Sequence, residues 1–169
     1  MRNEWPIMSR RGPAVAESSV AAFEQRLGHL LPTDYRRFLL EVNGGEPDDS
    51  SCEFSLGAVT MFFSICDDAD DSRDLEDANR WFNVSPSRND LLFVAHDSSG
   101  ANILLALTGE HRGQVWVQDV ADSRPDGSNP RVLWHDRRDM KKAADSFDEF
   151  LRQLGPRSTT ATAGSAREV

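Results

Sequence analysis

A chain of 169 residues suits one domain, and a domain of that size buries roughly two-thirds of its unfolded surface. With 38% apolar residues it can build a core without a disulfide framework or a structural metal. Its net charge of −9 argues against a nucleic-acid binder, which needs a basic footprint, and no apolar run approaches the ~20 residues of a membrane span.

The first residues, MRNEWPIMSRRGPAV, lack the apolar h-region of a secretory signal, so the protein is expected to stay in the cytoplasm. Residues 1–12 show no periodicity and read as a flexible N-terminus closed by Pro13; the domain is expected over 13–155. Val20, Phe23 and Leu27 form the stripe of a first helix, which Ser18 or Ser19 can cap and Gly28 terminates. A second helix has Thr33 as N-cap, with Asp34 at the positive end of the dipole. Its buried face is Tyr35, Phe38, Leu39 and Val42. Asn43-Gly44-Gly45 ends it, with a positive φ expected at Gly44.

From Glu46 to Asn79 the chain holds eleven acids and one base, Arg73, so this stretch carries −10 while the remainder is +1. Strands are predicted near Glu53–Leu56 and Val59–Ile65, then a short helix from about Ser72 to Phe82. LLFVAH (Leu91 to His96) reads as a strand covered on both faces, followed by an Asp97-Ser98-Ser99-Gly100 turn and a strand in NILLAL. After a turn at Gly109–Gly113 comes QVWVQDV, where Val115 and Val117 face one way and Trp116 the other. ADSRPDGSNP is a loop, and RVLWH (Arg131 to His135) is read as a last strand.

Ser146-Phe147-Asp148-Glu149 fits a capping box, with Phe147, Phe150, Leu151 and Leu154 as the apolar face and Gly155-Pro156 as the stop. PRSTTATAGSAREV, from Pro156 onward, reads as a disordered tail. Helices, then consecutive strands joined by tight turns, then a helix: the expected class is α+β, a largely antiparallel sheet with flanking helices.

The order of Leu27-Gly28, Leu31-Pro32, Asp34-Tyr35-Arg36, Phe38-Leu39 and Asn43-Gly44-Gly45 resembles the SUKH superfamily, in its branch related to a yeast cell-wall-synthesis regulator. LLFVAHDSSGANILLAL is similar to that family's strand–turn–strand, and ADSFDEFLRQL to its closing helix, so the resemblance spans roughly Val15 to Leu154. The turn Asp97–Asn102 departs from it, since many relatives place Gly followed by an acid there. The resemblance implies an immunity protein that binds a cognate bacterial toxin, often a nuclease or another enzyme that attacks nucleic acids.

Catalytic and metal chemistry find little support. His96-Asp97 and His135-Asp136 match no ligand spacing, and Asp67–Asp77 lacks the central Gly of a calcium loop. There is no G-x-S-x-G elbow, and neither Cys52 nor Cys66 has a nearby His or a C-x-x-C partner; both read as thiols of a reducing compartment. The expectation is a non-enzymatic domain with no cofactor and no bound metal. Its partner is a basic protein toxin met by Glu46, Asp48, Asp49, Asp67, Asp68, Asp70, Asp71, Asp74 and Glu76. A regulatory scaffold of the same fold, docking a host protein, is the alternative. Oligomeric state has no signature in the sequence.

Overall fold

A computed structural model describes residues 5–66, 72–82, 90–119 and 140–156. The two N-terminal stripes become helix faces: α1 (Glu17–Leu27) buries Val20 and Phe23, and α2 (Thr33–Glu41) buries Tyr35, Phe38 and Leu39. Neither helix begins as expected. Ala16 and Pro32 occupy the N-cap positions and no side chain caps either helix, so Ser18, Ser19 and Thr33 all lie within the first turns. Gly28 does end α1, at φ +80°.

A buried acid sets the joint between these helices. Glu24 accepts the Leu31 N–H at 2.9 Å and faces the Arg36 guanidinium at 3.4 Å, while Arg36 also reaches Glu17 at 2.8 Å. A buried carboxylate needs such partners, and here it has both a backbone N–H and a guanidinium. After α2, Asn43, Gly44 and Gly45 take φ values of +52°, +72° and +107°, and a Cβ on Gly44 would sit 2.3 Å from the Phe63 carbonyl oxygen.

Among the described residues there are eight strands, β1 (Met8–Arg11), β2 (Gly45–Pro47), β3 (Glu53–Phe54), β4 (Gly57–Phe62), β5 (Leu91–Asp97), β6 (Asn102–Ala106), β7 (Val115–Gln118) and β8 (Met140–Ala144). Every pairing between these strands is antiparallel, in the order β1-β2-β4-β5-β6-β7-β8, with β3 off this path and paired with β4. Three of these strands, β1, β2 and β8, differ from expectation, and β2 begins at Gly45, which reads in the sequence only as part of the helix stop. The N-terminal segment read as flexible contains β1, and the strand preceding the last helix is β8; Arg131 to His135 lie outside the described residues.

Partners in register share a face. Phe62, Ala95, Ile103 and Val117 line up across four strands and are all buried. On this side Phe38 of α2 packs 5.2 Å from Phe62 and 5.2 Å from Phe147 of α4 (Phe147–Gln153), and Tyr35 meets Phe147 edge-on at 4.8 Å. The opposite face carries a row of half-buried residues, Met61, His96, Asn102, Gln118 and Met140.

α4 has its expected cap in altered form. The Ser146 hydroxyl accepts the Glu149 N–H at 3.1 Å, but the Glu149 carboxylate returns to the N–H of Asp145, not of Ser146. Asp34 adds a second acceptor from α2, taking the Asp148 N–H at 3.0 Å. The helix is then stitched to β3: Gly155 donates to the Glu53 carbonyl at 2.8 Å and accepts the N–H groups of Cys52 and Glu53, both at 2.9 Å.

Candidate partner-binding surface

The acids between Glu46 and Asn79 enter the fold at two separate places, because β4 divides them. Gly45 pairs with Phe62, and from there β2 runs antiparallel to β4. Asp48 and Asp49 are therefore carried toward the start of β4. Cys66 and Ser72, which flank residues 67–71, lie past its end. At ~3.3 Å per residue the strand itself holds the two groups apart.

In the first group, Glu46 forms an ion pair with Arg10 on the neighbouring β1, both side chains largely exposed. Asp48 closes a local turn by accepting the Ser50 N–H at 2.9 Å, and hydrogen bonds from Ser50 hold its carboxyl below the usual carboxylate range. Asp49 is exposed in the same turn.

In the second group, two residues expected to face a partner are committed to the fold. Asp74 is buried; one carboxylate oxygen accepts the Asp77 N–H at 2.7 Å and the other accepts the Cys66 N–H at 3.1 Å. It immediately precedes α3 (Leu75–Phe82) and caps its first turn through the Asp77 N–H. Glu76 is held in a bidentate pair with Arg26 of α1, at 2.8 to 3.0 Å, which ties α3 to the N-terminal helices. Asp67, Asp68, Asp70 and Asp71 lie outside the described residues.

Two asparagines do the backbone's work where strands stop. Asn43 accepts the Ile65 N–H at 2.9 Å and donates to the carbonyls of Ile65 and Pro13 at 2.9 and 2.7 Å. Asn79 treats Phe93 alike, accepting its N–H at 2.8 Å and donating to its carbonyl at 2.9 Å, and so docks α3 on β5 beyond the end of β4. Asp97, in the turn where the sequence departs from the resembled family, is buried and takes the N–H groups of Ala58 and Ser99 at 2.8 and 2.6 Å. It closes the β5–β6 turn onto β4.

Among the described residues no three His, Cys, Asp or Glu side chains are grouped to hold a metal ion, and no helix is long and apolar enough to cross a membrane. Neither Cys52 nor Cys66 is disulfide-bonded. His96 is half-buried against the rings of Phe63 and Phe93, and burial pulls its pKa down.

The sequence sets Trp116 on the face opposite Val115 and Val117 but gives no sign of a concavity there. A groove of about 440 Å³ opens on the face away from α2 and α4, with Leu91, Ala106, Trp116 and Met140 among its walls and Asp90 and Glu110 at its rim.

These features define a single α+β domain whose described acids are divided between exposed turns and structural caps. Residues 14–153 match the SMI1 / KNR4 family (SUKH-1), and the chain belongs to that family. No curated protein matches the chain. The matched span agrees within one residue at each end with the Val15 to Leu154 resemblance read from the motifs.

Proposed function

We propose that this protein is an immunity protein: it binds a cognate bacterial toxin, a nuclease or another enzyme acting on nucleic acids, and inhibits it stoichiometrically in the cytoplasm without chemistry of its own. Membership of the SMI1 / KNR4 family (SUKH-1) over residues 14–153 carries this reading. The charge distribution supports it, because the stretch from Glu46 to Asn79 carries −10 while the remainder of the chain is +1. A toxin built to grip nucleic acid is basic, and such a field steers it toward the acids. The acids Glu46, Asp48 and Asp49, with Asp67, Asp68, Asp70 and Asp71, are the proposed toxin-facing residues; Asp74 and Glu76 are withdrawn from that set.

Recovery of a basic toxin fragment from the native host on immobilised protein, followed by one-to-one inhibition of its activity, is the expected result. Capture of a host regulatory protein with no toxin would favour the second reading, a scaffold that docks a host partner. The SMI1 / KNR4 branch of the match is the observation behind that alternative.

A further inference from the structure

Asn43-Gly44 is the one Asn-Gly pair in the sequence, and the fold sets it at a buried corner. In such a pair an asparagine side chain reacts readily with its own backbone, because glycine has no Cβ to keep the following amide nitrogen from the side-chain carbonyl carbon. The folded chain blocks that encounter. Asn43 is 2% exposed, and its carboxamide is engaged by residues 22 and 30 positions away in the chain. The oxygen accepts the Ile65 N–H at 2.9 Å, and the nitrogen donates to the Ile65 and Pro13 carbonyls at 2.9 and 2.7 Å. Turning the carboxamide back toward Gly44 breaks all three bonds.

The backbone of the corner is held as closely. Asn43, at φ +52°, donates its N–H to the Phe38 carbonyl at 3.1 Å, and the Gly44 carbonyl accepts the Gly12 N–H at 3.1 Å. A Cβ on Gly12 would strike the Asn43 carbonyl oxygen, and one on Gly44 would strike that of Phe63. There is no room for the extra backbone methylene of an isoaspartyl link. An aspartate fares little better: its carboxylate keeps the Ile65 N–H but sets a buried, charged oxygen against two carbonyl oxygens that have lost their donor.

We propose that Asn43 is a deamidation site that the native fold protects and unfolding exposes, which gives the protein a one-way chemical exit from its folded state. In the opened chain the Gly44 nitrogen loses its proton to solvent base and attacks the Asn43 Cγ. The N–Cγ bond forms, the Cγ–Nδ2 bond breaks, and ammonia leaves. Water then opens the succinimide at either carbonyl, leaving aspartate or isoaspartate at position 43. Neither product restores the corner between α2, Pro13 and the end of β4, so the modified chain does not return to the native state. The inference is independent of what the domain binds.

The full-length protein is incubated at mildly alkaline pH, folded in one arm and held in urea in the other, and its digests are followed by mass spectrometry. The unfolded chain is expected to convert Asn43 to a mixture of aspartate and isoaspartate. The folded chain should do so about a hundredfold more slowly or less, because only its opened fraction reacts. Asn79 is the internal control: it is buried and bonded to the Phe93 backbone in the same way, but Arg80 follows it, so it should stay an amide in both arms. Chain converted in urea and returned to buffer should not regain the parent's thermal midpoint, whereas chain exposed briefly, with Asn43 intact, should regain it. Asn43→Asp should lower the midpoint, and where it yields no folded protein the refolding of converted parent decides. Equal rates in the two arms, no conversion in urea, or conversion of Asn79 alongside Asn43 overturns the proposal. So does a converted chain, or an Asn43→Asp variant, that melts with the parent.

Discussion

Gly44 and Gly28 share a left-handed φ, +72° and +80°, but their surroundings differ. A Cβ on Gly28 would meet nothing within 4 Å, whereas on Gly44 it would strike the Phe63 carbonyl oxygen at 2.3 Å and that of Phe62 at 2.8 Å. The pair separates backbone strain from steric exclusion. Gly28→Ala is expected to cost about 1 kcal/mol, and Gly44→Ala about 3 kcal/mol because the chain after β4 must move. Urea denaturation measures both, and equal losses would show that this chain yields without cost. Asp74 gives a second comparison. Its Ala variant loses the cap of α3 and the bond from Cys66, so a drop of about 2 kcal/mol is expected. Full stability of Asp74→Ala would return it to the candidate binding residues. His96 makes a pH prediction. Burial depresses its folded pKa below 6.5, so the unfolded chain takes up the proton first as pH falls. Its contribution is therefore whole above about pH 6.5 and is lost on acidification, until the folded form protonates too. His96→Gln should flatten the thermal midpoint against pH in that window; an unchanged slope would remove His96 as the source.

Among the elements, those with a strong apolar period were legible and the edges were not. α1, α2 and α4 bury the stripes read for them, and β4 to β7 follow the apolar runs. The two sheet edges carry no such pattern. β1 is MSRR, exposed at three of four positions, and β8 is MKKAA with Lys141 and Lys142 exposed. Charged edge strands discourage further pairing, and that same chemistry erases the alternation by which strands are recognised. What holds β1 is tertiary: Trp5 ahead of it packs 5.8 Å from Phe38, donates to Glu41 at 2.7 Å and lies under Arg37 at 4.9 Å. None of these partners is near it in sequence. The C-terminal boundary can be tested at single-residue resolution. A chain ending at Pro156 keeps the three backbone bonds between Gly155 and Cys52–Glu53, and should match the full-length protein within a few tenths of a kcal/mol. A chain ending at Leu154 loses them and should fall by about 2 kcal/mol. Calorimetry decides; indistinguishable midpoints would mean the Gly155 bridge adds nothing.

For the whole molecule, the charge imbalance was readable by counting but its division was not. Counting joins Glu46 to Glu76 because they are close in sequence. The register Gly45–Phe62 separates them, and capping withdraws Asp74 while Arg26 occupies Glu76. Only the antiparallel turn of β2 against β4 decides this, and composition is blind to it. Two sets of acids remain: Asp48 and Asp49 toward the start of β4, and the four aspartates of 67–71, whose flanking residues Cys66 and Ser72 lie past its end. They can be neutralised independently. Replacing Asp67, Asp68, Asp70 and Asp71 together by Asn removes four charges, and replacing Asp48 and Asp49 removes two. If a basic toxin approaches the 67–71 end, the fourfold variant should lose about tenfold in association rate at low salt and converge on the parent as salt screens the field. The twofold variant should change far less, because it removes half as many charges and β4 lies between them and Cys66 and Ser72. The dissociation rate should barely move in either, since exposed charges act mainly on encounter. Stopped-flow association with the recovered toxin across a salt series reads all three quantities. A larger loss in the Asp48/Asp49 variant would move the toxin to the β1–β2 end, and unchanged association in both would leave the acids as a solubility device.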